Sequence, residues 1–387
     1  MKKVLLATVN STFIAVSALL GGCDIPDNDA REQVPIASSR LSELLSPEDL
    51  NAYPLVLEPR EFSFPADHGP HPEYRNEWWY VTGNLDAAGG ERFGFELTIF
   101  RFALVPPDKD RQAESAWATD QVYIGHFALT NVEAERFHVA QRYARNALGL
   151  AGGQVEPFRV WVEDWHLQES RRDGNRWELY AVDGEIDLSL SLEAQKPPVL
   201  NGTDGLSQKS SERGNASYYY SLPRLKADGK LSVAGKAHQV SGLAWVDREW
   251  GSSALSAGQE GWDWFALQLD DGSELMYYNL RRSDGSNDEH SAGTFIPGEG
   301  EIVSLSRDDV TVDVTDYWDS PLGGRYPMRW TITVPRLDLL LKVEPVLEAQ
   351  ELATNVRYWE GAVDVTAESA GKPVAGRGYV ELTGYAR

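Results

Sequence analysis

A chain of 387 residues with 36 basic and 59 acidic side chains carries a formal charge of −23. A field of that sign repels phosphate backbones and anionic lipid headgroups, which argues against nucleic acid as a partner and against electrostatic docking on a bilayer. The length exceeds what one hydrophobic core usually serves, so two domains are expected.

Residues 1–22 read as an export leader. Lys2 and Lys3 make a basic start, and Val4 to Leu20 is a mostly apolar run, too short for a stable spanning helix. Leu20-Gly21-Gly22-Cys23 then has the form of a bacterial lipobox, in which the cysteine is acylated. Cys23 is the single cysteine of the chain, so no internal disulfide is expected. The expectation is a lipoprotein held on the bacterial cell envelope through Cys23, facing the periplasm, with more than one acyl chain making the anchor stable. Asp24 resembles an inner-membrane retention signal, and the choice between inner and outer membrane stays open. No second hydrophobic stretch reaches spanning length.

Residues 23–60 are a polar tether. Ser46-Pro-Glu-Asp-Leu offers an N-cap, then Pro and acids in a first turn, so a short helix is expected there.

From Phe62 the period becomes two. Phe93, Phe95, Leu97 and Ile99 alternate with small or polar residues, and Ile186-Asp-Leu-Ser-Leu-Ser-Leu alternates strictly. Val122–Thr130, Phe158–Val162 and Trp177–Val182 read as further strands. The dipeptides Asp173-Gly174, Asp183-Gly184, Asp204-Gly205, Asp228-Gly229, Asp271-Gly272 and Asp284-Gly285 are predicted turns. Segments of helical period are nearly absent, so the fold class is all-β, of the sandwich or barrel kind. Ser, Ala and Gly replace aromatics over 251–258, which sets the expected domains at 61–254 and 255–387.

An internal echo supports two related domains. Trp78, Tyr80, Leu85 and Asp86 line up with Trp262, Trp264, Leu269 and Asp270. Each set precedes a Gly-containing turn and another alternating strand.

The stretch Ser241–Tyr278 concentrates the chemistry. It holds Trp245, Trp250, Trp262 and Trp264, four of the chain's thirteen tryptophans, with acids among them. On a strand, alternation puts Leu243, Trp245, Asp247 and Glu249 on one face. Burial and a neighbouring like charge both disfavour ionisation, so such a wall can keep a carboxyl protonated near neutral pH. The candidate proton donors are Asp247, Glu249 and Glu77. Glu77 shares a strand face with Trp79 and Val81, and pairing with Arg75 or Arg248 is its structural alternative. Trp79, Tyr80, Trp245, Trp250, Trp262, Trp264 and Tyr278 are the candidate ligand-binding rings. They could stabilise a carbocation, line a passive pocket, or simply pack a core. Asp263, beside Phe265, is expected to face solvent.

Asp67-His68-Gly-Pro-His71, with His126, has a spacing that could hold a metal. The segment is a Pro- and Gly-bound loop with no cysteine partners and no His-Glu-x-x-His helix, so a loop latched by imidazole hydrogen bonds is the preferred reading and no metal is assigned. No P-loop, dinucleotide fingerprint or Gly-x-Ser-x-Gly stands in a supporting context, so no cofactor and no serine hydrolase is expected.

Phe64–Leu85, Ser217–Leu225, Gly242–Gly251, Tyr358–Val363 and Gly378–Tyr385 together resemble the bacterial lipocalin-like family that includes carotenoid 1,2-hydratase and the AttH-like envelope proteins. The resemblance covers most of residues 60–387. It implies two packed lipocalin-like antiparallel β domains. One branch of that family hydrates a carotenoid double bond with an aspartic acid as proton donor, other two-domain relatives look like polyene cyclases, and many members have no known activity. The expected function is therefore binding of a hydrophobic small molecule, lipid- or isoprenoid-like, in an aromatic-lined pocket. The alternatives are a hydratase, isomerase or cyclase working by carboxylic-acid proton transfer, and an envelope scaffold with a protein partner.

Overall fold

The computed structural model describes residues 52–106, 115, 118–170, 175–252 and 255–386. Cys23, the leader and the helix expected at Ser46 lie outside the described residues.

Thirteen strands form one antiparallel sheet. They are β1 (Asn76–Ala87), β2 (Arg92–Ala103), β3 (Gln121–Asn131), β4 (Arg136–Arg145), β5 (Ala151–Gln154), β6 (Arg159–Val162), β7 (Trp165–Glu169), β8 (Arg176–Asp183), β9 (Ile186–Ala194), β10 (Val199–Leu200), β11 (Leu206–Gln208), β12 (Ala216–Val233) and β13 (Lys236–Gly251). Its order is β4-β3-β2-β1-β13-β12-β9-β8-β7-β6-β5, with β10 and β11 pairing β12.

Ten strands form the second sheet: β14 (Gln259–Leu269), β15 (Glu274–Arg282), β16 (Ala292–Ile296), β17 (Val303–Ser306), β18 (Thr311–Asp319), β19 (Arg325–Val334), β20 (Leu339–Pro345), β21 (Glu351–Ala353), β22 (Arg357–Ser369) and β23 (Lys372–Leu382). Its order is β17-β16-β15-β14-β23-β22-β20-β19-β18, with β21 on β22. Each sheet curls until it nearly closes, giving two barrel-like units. In the first, His138 and Arg142 on β4 reach across to the Asp183 carboxylate (3.1 Å) and the Val182 carbonyl (2.9 Å) near the end of β8.

Alternation explains the sheets. In β9, Ile186, Leu188, Leu190 and Leu192 point into the first core while Asp187 and Ser189 face water. The central strands differ: β1, β2 and most of β14 and β15 are buried on both faces. One face fills the strand's own barrel, and the other packs against the opposite domain. Trp79, Val81 and Leu85 of β1 enter the first core, whereas Tyr80 joins Trp245, Trp264, Met276, Tyr278 and Tyr379 in a separate cluster between the domains.

The sequence echo is a topological repeat. β1 lies between β2 and β13, and β14 lies between β15 and β23, the last strand of its sheet. In register, Tyr80 stands opposite Asp247 and Trp264 opposite Glu381.

Of the expected turns, Asp183-Gly184 and Asp271-Gly272 join β8 to β9 and β14 to β15. Asp228-Gly229 does not turn. It runs inside β12, paired with Ser241 and Val240. Glycine is used there for close approach, since a Cβ on Gly229 would sit 2.1 Å from the Ser189 carbonyl oxygen. A dipeptide suited to a hairpin yields to an eighteen-residue strand when both neighbours pair along it.

The domains interlock through buried polar bonds. Asn84 donates to the Gly378 carbonyl (3.0 Å), and Gln268 donates to the carbonyls of Pro223 (2.8 Å) and Ala244 (3.0 Å). Backbones also approach closely: a Cβ on Gly94 would lie 2.6 Å from the Ala362 Cβ, which has no flexible end to move aside. Gly94→Val is therefore expected to wedge β2 from β22 and cost about 1–3 kcal/mol. A lowered urea midpoint checks this, and an unchanged midpoint contradicts it.

Candidate active site

The two domains enclose a cavity of about 90 Å³ between β1, β13, β14, β15 and β23. That is room for several waters or the end of an apolar chain. Half-buried Trp78, Trp262 and Leu255 stand at its edge. Tyr80, Phe100, Tyr219, Trp264, Tyr278 and Leu280 line its walls, and Asp247, Glu249, Glu381 and Lys209 supply its charge.

Asp247 is the centre of this wall. It is 3% exposed and accepts three hydrogen bonds, from Ser221 Oγ (2.5 Å), the Tyr219 hydroxyl (2.5 Å) and Trp245 Nε1 (2.7 Å). Burial pushes its pKa up to about 7; the three donors oppose that shift, and the Glu249 charge adds to it. Trp245 therefore acts through Asp247, gripping the acid instead of lining the cavity. Tyr219 is itself fixed by Trp264 Nε1 at 3.1 Å.

Glu249 is bound by Ser217 and by Lys209 Nζ (3.0 Å). Lys209 lies over the Tyr278 ring, 4.4 Å from its centroid. Burial is the largest influence and works against its charge, but Glu249, Tyr278 and Asp247 together outweigh it and keep the pKa above the ordinary lysine value. Glu249 thus has an ion-pair partner, whereas no ion pair reaches Asp247 among the described residues.

Glu381 is a second acid that the sequence reading passed over. Burial raises its pKa to about 7; Trp262 Nε1, donating at 2.9 Å, opposes this, and Glu249 and Asp247 reinforce it. A signal for it was available. Trp245-Val246-Asp247 and Tyr379-Val380-Glu381 occupy matching places on β13 and β23. Extending the Trp78/Trp262 echo to the last strand of each domain pairs the two acids. Lys209 and Tyr219 carried no comparable pattern, because β11, β12 and the segment between them bring them in through chain pairing alone.

Three candidates lie elsewhere. Glu77, Trp79 and Trp250 point from β1 and β13 into the first barrel, away from the cavity. Glu77 is fully buried between Arg101 Nε (2.5 Å) and Arg248 Nη2 (3.1 Å) and also accepts from the His71 amide (3.1 Å). These partners overcome burial and hold its carboxyl far below the usual range, so it stays ionised and is no proton donor. Trp79 carries the Arg248 guanidinium on its face at 4.0 Å, and Trp250 stacks on His71 at 3.8 Å. Alternation is the reason: neighbours in the sequence WWY and DREW go to opposite sides.

The histidine segment is a latch. His68 Nδ1 meets the Tyr220 hydroxyl at 2.6 Å, its carbonyl accepts from Trp79 Nε1 (2.9 Å), and His71 Nε2 pairs with Asp67 at 3.1 Å. His126 is apart from them, bound to the Tyr358 hydroxyl at 2.6 Å. Among the described residues no three metal-ligating side chains converge. Asp263 is buried, not solvated: Arg281 Nε and the Tyr385 hydroxyl each hold it at 2.9 Å.

Comparison with known proteins agrees with this architecture. The AttH-like family model matches residues 55–385, so the chain belongs to the AttH-like family. Its structure is similar to that of an AttH protein from Nitrosomonas europaea, at 33% identity and a TM-score of 0.77 over 86% of this chain and 100% of that one. It shares the fold of kievitone hydratase from Nectria haematococca, at 17% identity and a TM-score of 0.65, covering 86% of this chain and 94% of that one. In sequence it is 24% identical over 212 residues to the dehydratase asqC of Emericella nidulans. That match spans 51% of this chain and 58% of the relative's own length. The lipocalin-like resemblance thus holds at the level of family and fold, and the family's structural neighbours include a hydratase.

The Asp247 pKa makes a stability prediction. A carboxyl at about 7 when folded and about 4 when unfolded stabilises fully below pH ~4 and loses that contribution as pH rises through 7. Relative to Asp247→Asn, the wild-type protein should lose about 2–4 kcal/mol between pH 4 and 8. Urea unfolding of both proteins across that range measures it, and parallel curves contradict it.

Proposed function

We propose that this protein is a hydro-lyase of the hydratase–dehydratase kind, acting on an apolar substrate with a trisubstituted alkene or the corresponding tertiary alcohol. The observation that carries the proposal is Asp247: an acid that no ion pair reaches among the described residues, near pKa 7, in a wall of indoles and phenols. A passive carrier, the first expectation from sequence, has no use for a carboxyl kept protonated at such a cost in burial. The AttH-like membership and the hydratase among its structural neighbours support the same class.

In the hydration direction, the Asp247 proton forms a C–H bond as the alkene π bond opens. The positive charge falls on the more substituted carbon. The rings of Trp264, Tyr219 and Tyr278 line the space where it would form, and aromatic rings attract positive charge. The oxygen of a water molecule then bonds to that carbon, and its surplus proton passes to the Glu381 carboxylate. After hydration the proton returns from Glu381 to Asp247 before the next turnover; dehydration is the same path reversed, and the proton then returns from Asp247 to Glu381. The apolar walls keep other nucleophiles out and strengthen every charge interaction inside.

The Leu-Gly-Gly-Cys ending at residues 20–23 supports placing this pocket on the envelope membrane through acylated Cys23, next to a source of apolar substrates. Intact mass of membrane-extracted protein reads that attachment directly.

A panel of trisubstituted alkenes incubated in oxygen-18 water tests the chemistry. Labelled tertiary alcohol should form, with a bell-shaped pH profile centred near neutrality, since Asp247 must be protonated and Glu381 ionised. Asp247→Asn should lower turnover by about 10²-fold or more while a bound alkene still quenches tryptophan fluorescence. Binding without label incorporation across the panel would favour carriage and overturn the proposal.

A further inference from the structure

Behind the cavity wall lies a pair of acids that the mechanism above does not use. Glu96 on β2 and Glu360 on β22 are both fully buried, at 0% exposure. They come from opposite domains. Gly94 and Ala362 bring the two strands almost into contact, and the acids stand two residues away on the same strand faces. Glu360 Oε1 accepts from the Tyr80 hydroxyl at 2.5 Å. Its other oxygen has no hydrogen-bond partner, nor has either oxygen of Glu96, although the Thr98 hydroxyl and amide lie near enough to Glu96 to favour its charged form.

The groups facing this pair are known from every side. Tyr80 comes from β1, Thr98 from β2, Tyr358 from β22, and Tyr379 and Glu381 from β23. His126 on β3 stands behind Tyr358 and is held neutral by burial. No ion pair with Lys or Arg reaches either acid among the described residues. Two bare carboxylates here would cost far more than the domain interface returns. Burial raises the proton affinity of both, the Glu381 charge raises both further, and Glu96 adds to the rise in Glu360.

Glu360 is also the direct cross-strand partner of Glu381. Such partners stand about 5 Å apart. Whatever charge the pair keeps is therefore felt by an acid of the pocket.

We propose that Glu96 and Glu360 share a single proton at neutral pH and that the remaining negative charge is a positioning device for Glu381, holding its proton affinity high enough to take the proton of the attacking water. The tuning purpose rests on the hydro-lyase reading; the shared proton does not. With one proton the pair is a carboxylic acid donating to a carboxylate, which gives a partner to one orphaned oxygen of each acid. It leaves one negative charge, and Tyr80 fixes which side of the pair faces the cavity. A fully protonated pair would leave Glu381 without this help, and an unprotonated one would repel β2 from β22.

Infrared titration of the resting protein tests this without any substrate. Wild type should show a protonated-carboxyl band that persists above pH ~8, where ordinary carboxyl groups are ionised. The band should vanish in the double variant Glu96→Gln/Glu360→Gln and survive in Glu351→Gln, a buried acid of the second barrel. In the double variant the Glu381 midpoint, read with carbon-13 glutamate, should fall to about one tenth of its wild-type proton affinity, because a like charge within about 5 Å is gone. Glu360→Gln alone should give the same Glu381 shift, since a lone buried Glu96 stays neutral. Absence of the band in wild type, or an unchanged Glu381 midpoint in both variants, overturns the proposal. Loss of label incorporation with the band and midpoint behaving as stated would instead count against the hydro-lyase reading.

Discussion

The structure depends on a pair of strands that have no solvent side. β1 and the second half of β13 are buried on both faces, so every residue along them must be matched to one interior or the other. Period-two alternation does the sorting. Glu77, Trp79, Arg248 and Trp250 go into the first barrel, where charge is fully paired. Trp78, Tyr80, Trp245, Asp247 and Glu249 go to the interdomain space, where it is not. A shift of β13 by one residue against β1 would turn Arg248 toward the aromatic cavity and Asp247 into the first barrel. The pairing of Arg101 and Arg248 with Glu77 on the other side makes such a slip costly, so the structural cluster protects the register of the chemical one.

That division explains why two acids on neighbouring strands behave in opposite ways. Glu77 and Asp247 are about equally buried. Glu77 has two guanidinium groups and an amide, and remains charged. Asp247 has only neutral donors, a serine, a tyrosine and an indole, and keeps its proton to about neutrality. The difference is one of partner charge, not of burial. The repeated fold then supplies a second acid at the matching place, Glu381. Two β domains packed together each bring an acid toward one cavity.

Much of this was legible in the sequence, and the limits have physical causes. The all-β class followed from strict alternators such as Ile186–Leu192, and the two-domain repeat from Trp78/Tyr80 against Trp262/Trp264. Asp247, Glu249, Tyr80, Trp262, Trp264 and Tyr278 were found because they cluster in the chain with aromatics. Trp79, Trp250 and Glu77 were drawn in by the same clustering, since composition counts a residue whichever way it points. Asp228-Gly229 showed the same limit for turns, where local propensity lost to pairing on both sides. Lys209 and Tyr219 reach the cavity from β11, β12 and their connection, and Glu96 and Glu360 are buried where strands of the two domains approach. Residues so far apart in sequence leave no local pattern to read.

The account stands on the protonation of one side chain. The carboxyl carbon of Asp247, followed by carbon-13 NMR in aspartate-labelled protein and assigned with Asp247→Asn, should titrate with a midpoint near 7. A midpoint near 4, the value of a solvated aspartate, would show an ionised acid at neutral pH and leave the cavity without its proton donor.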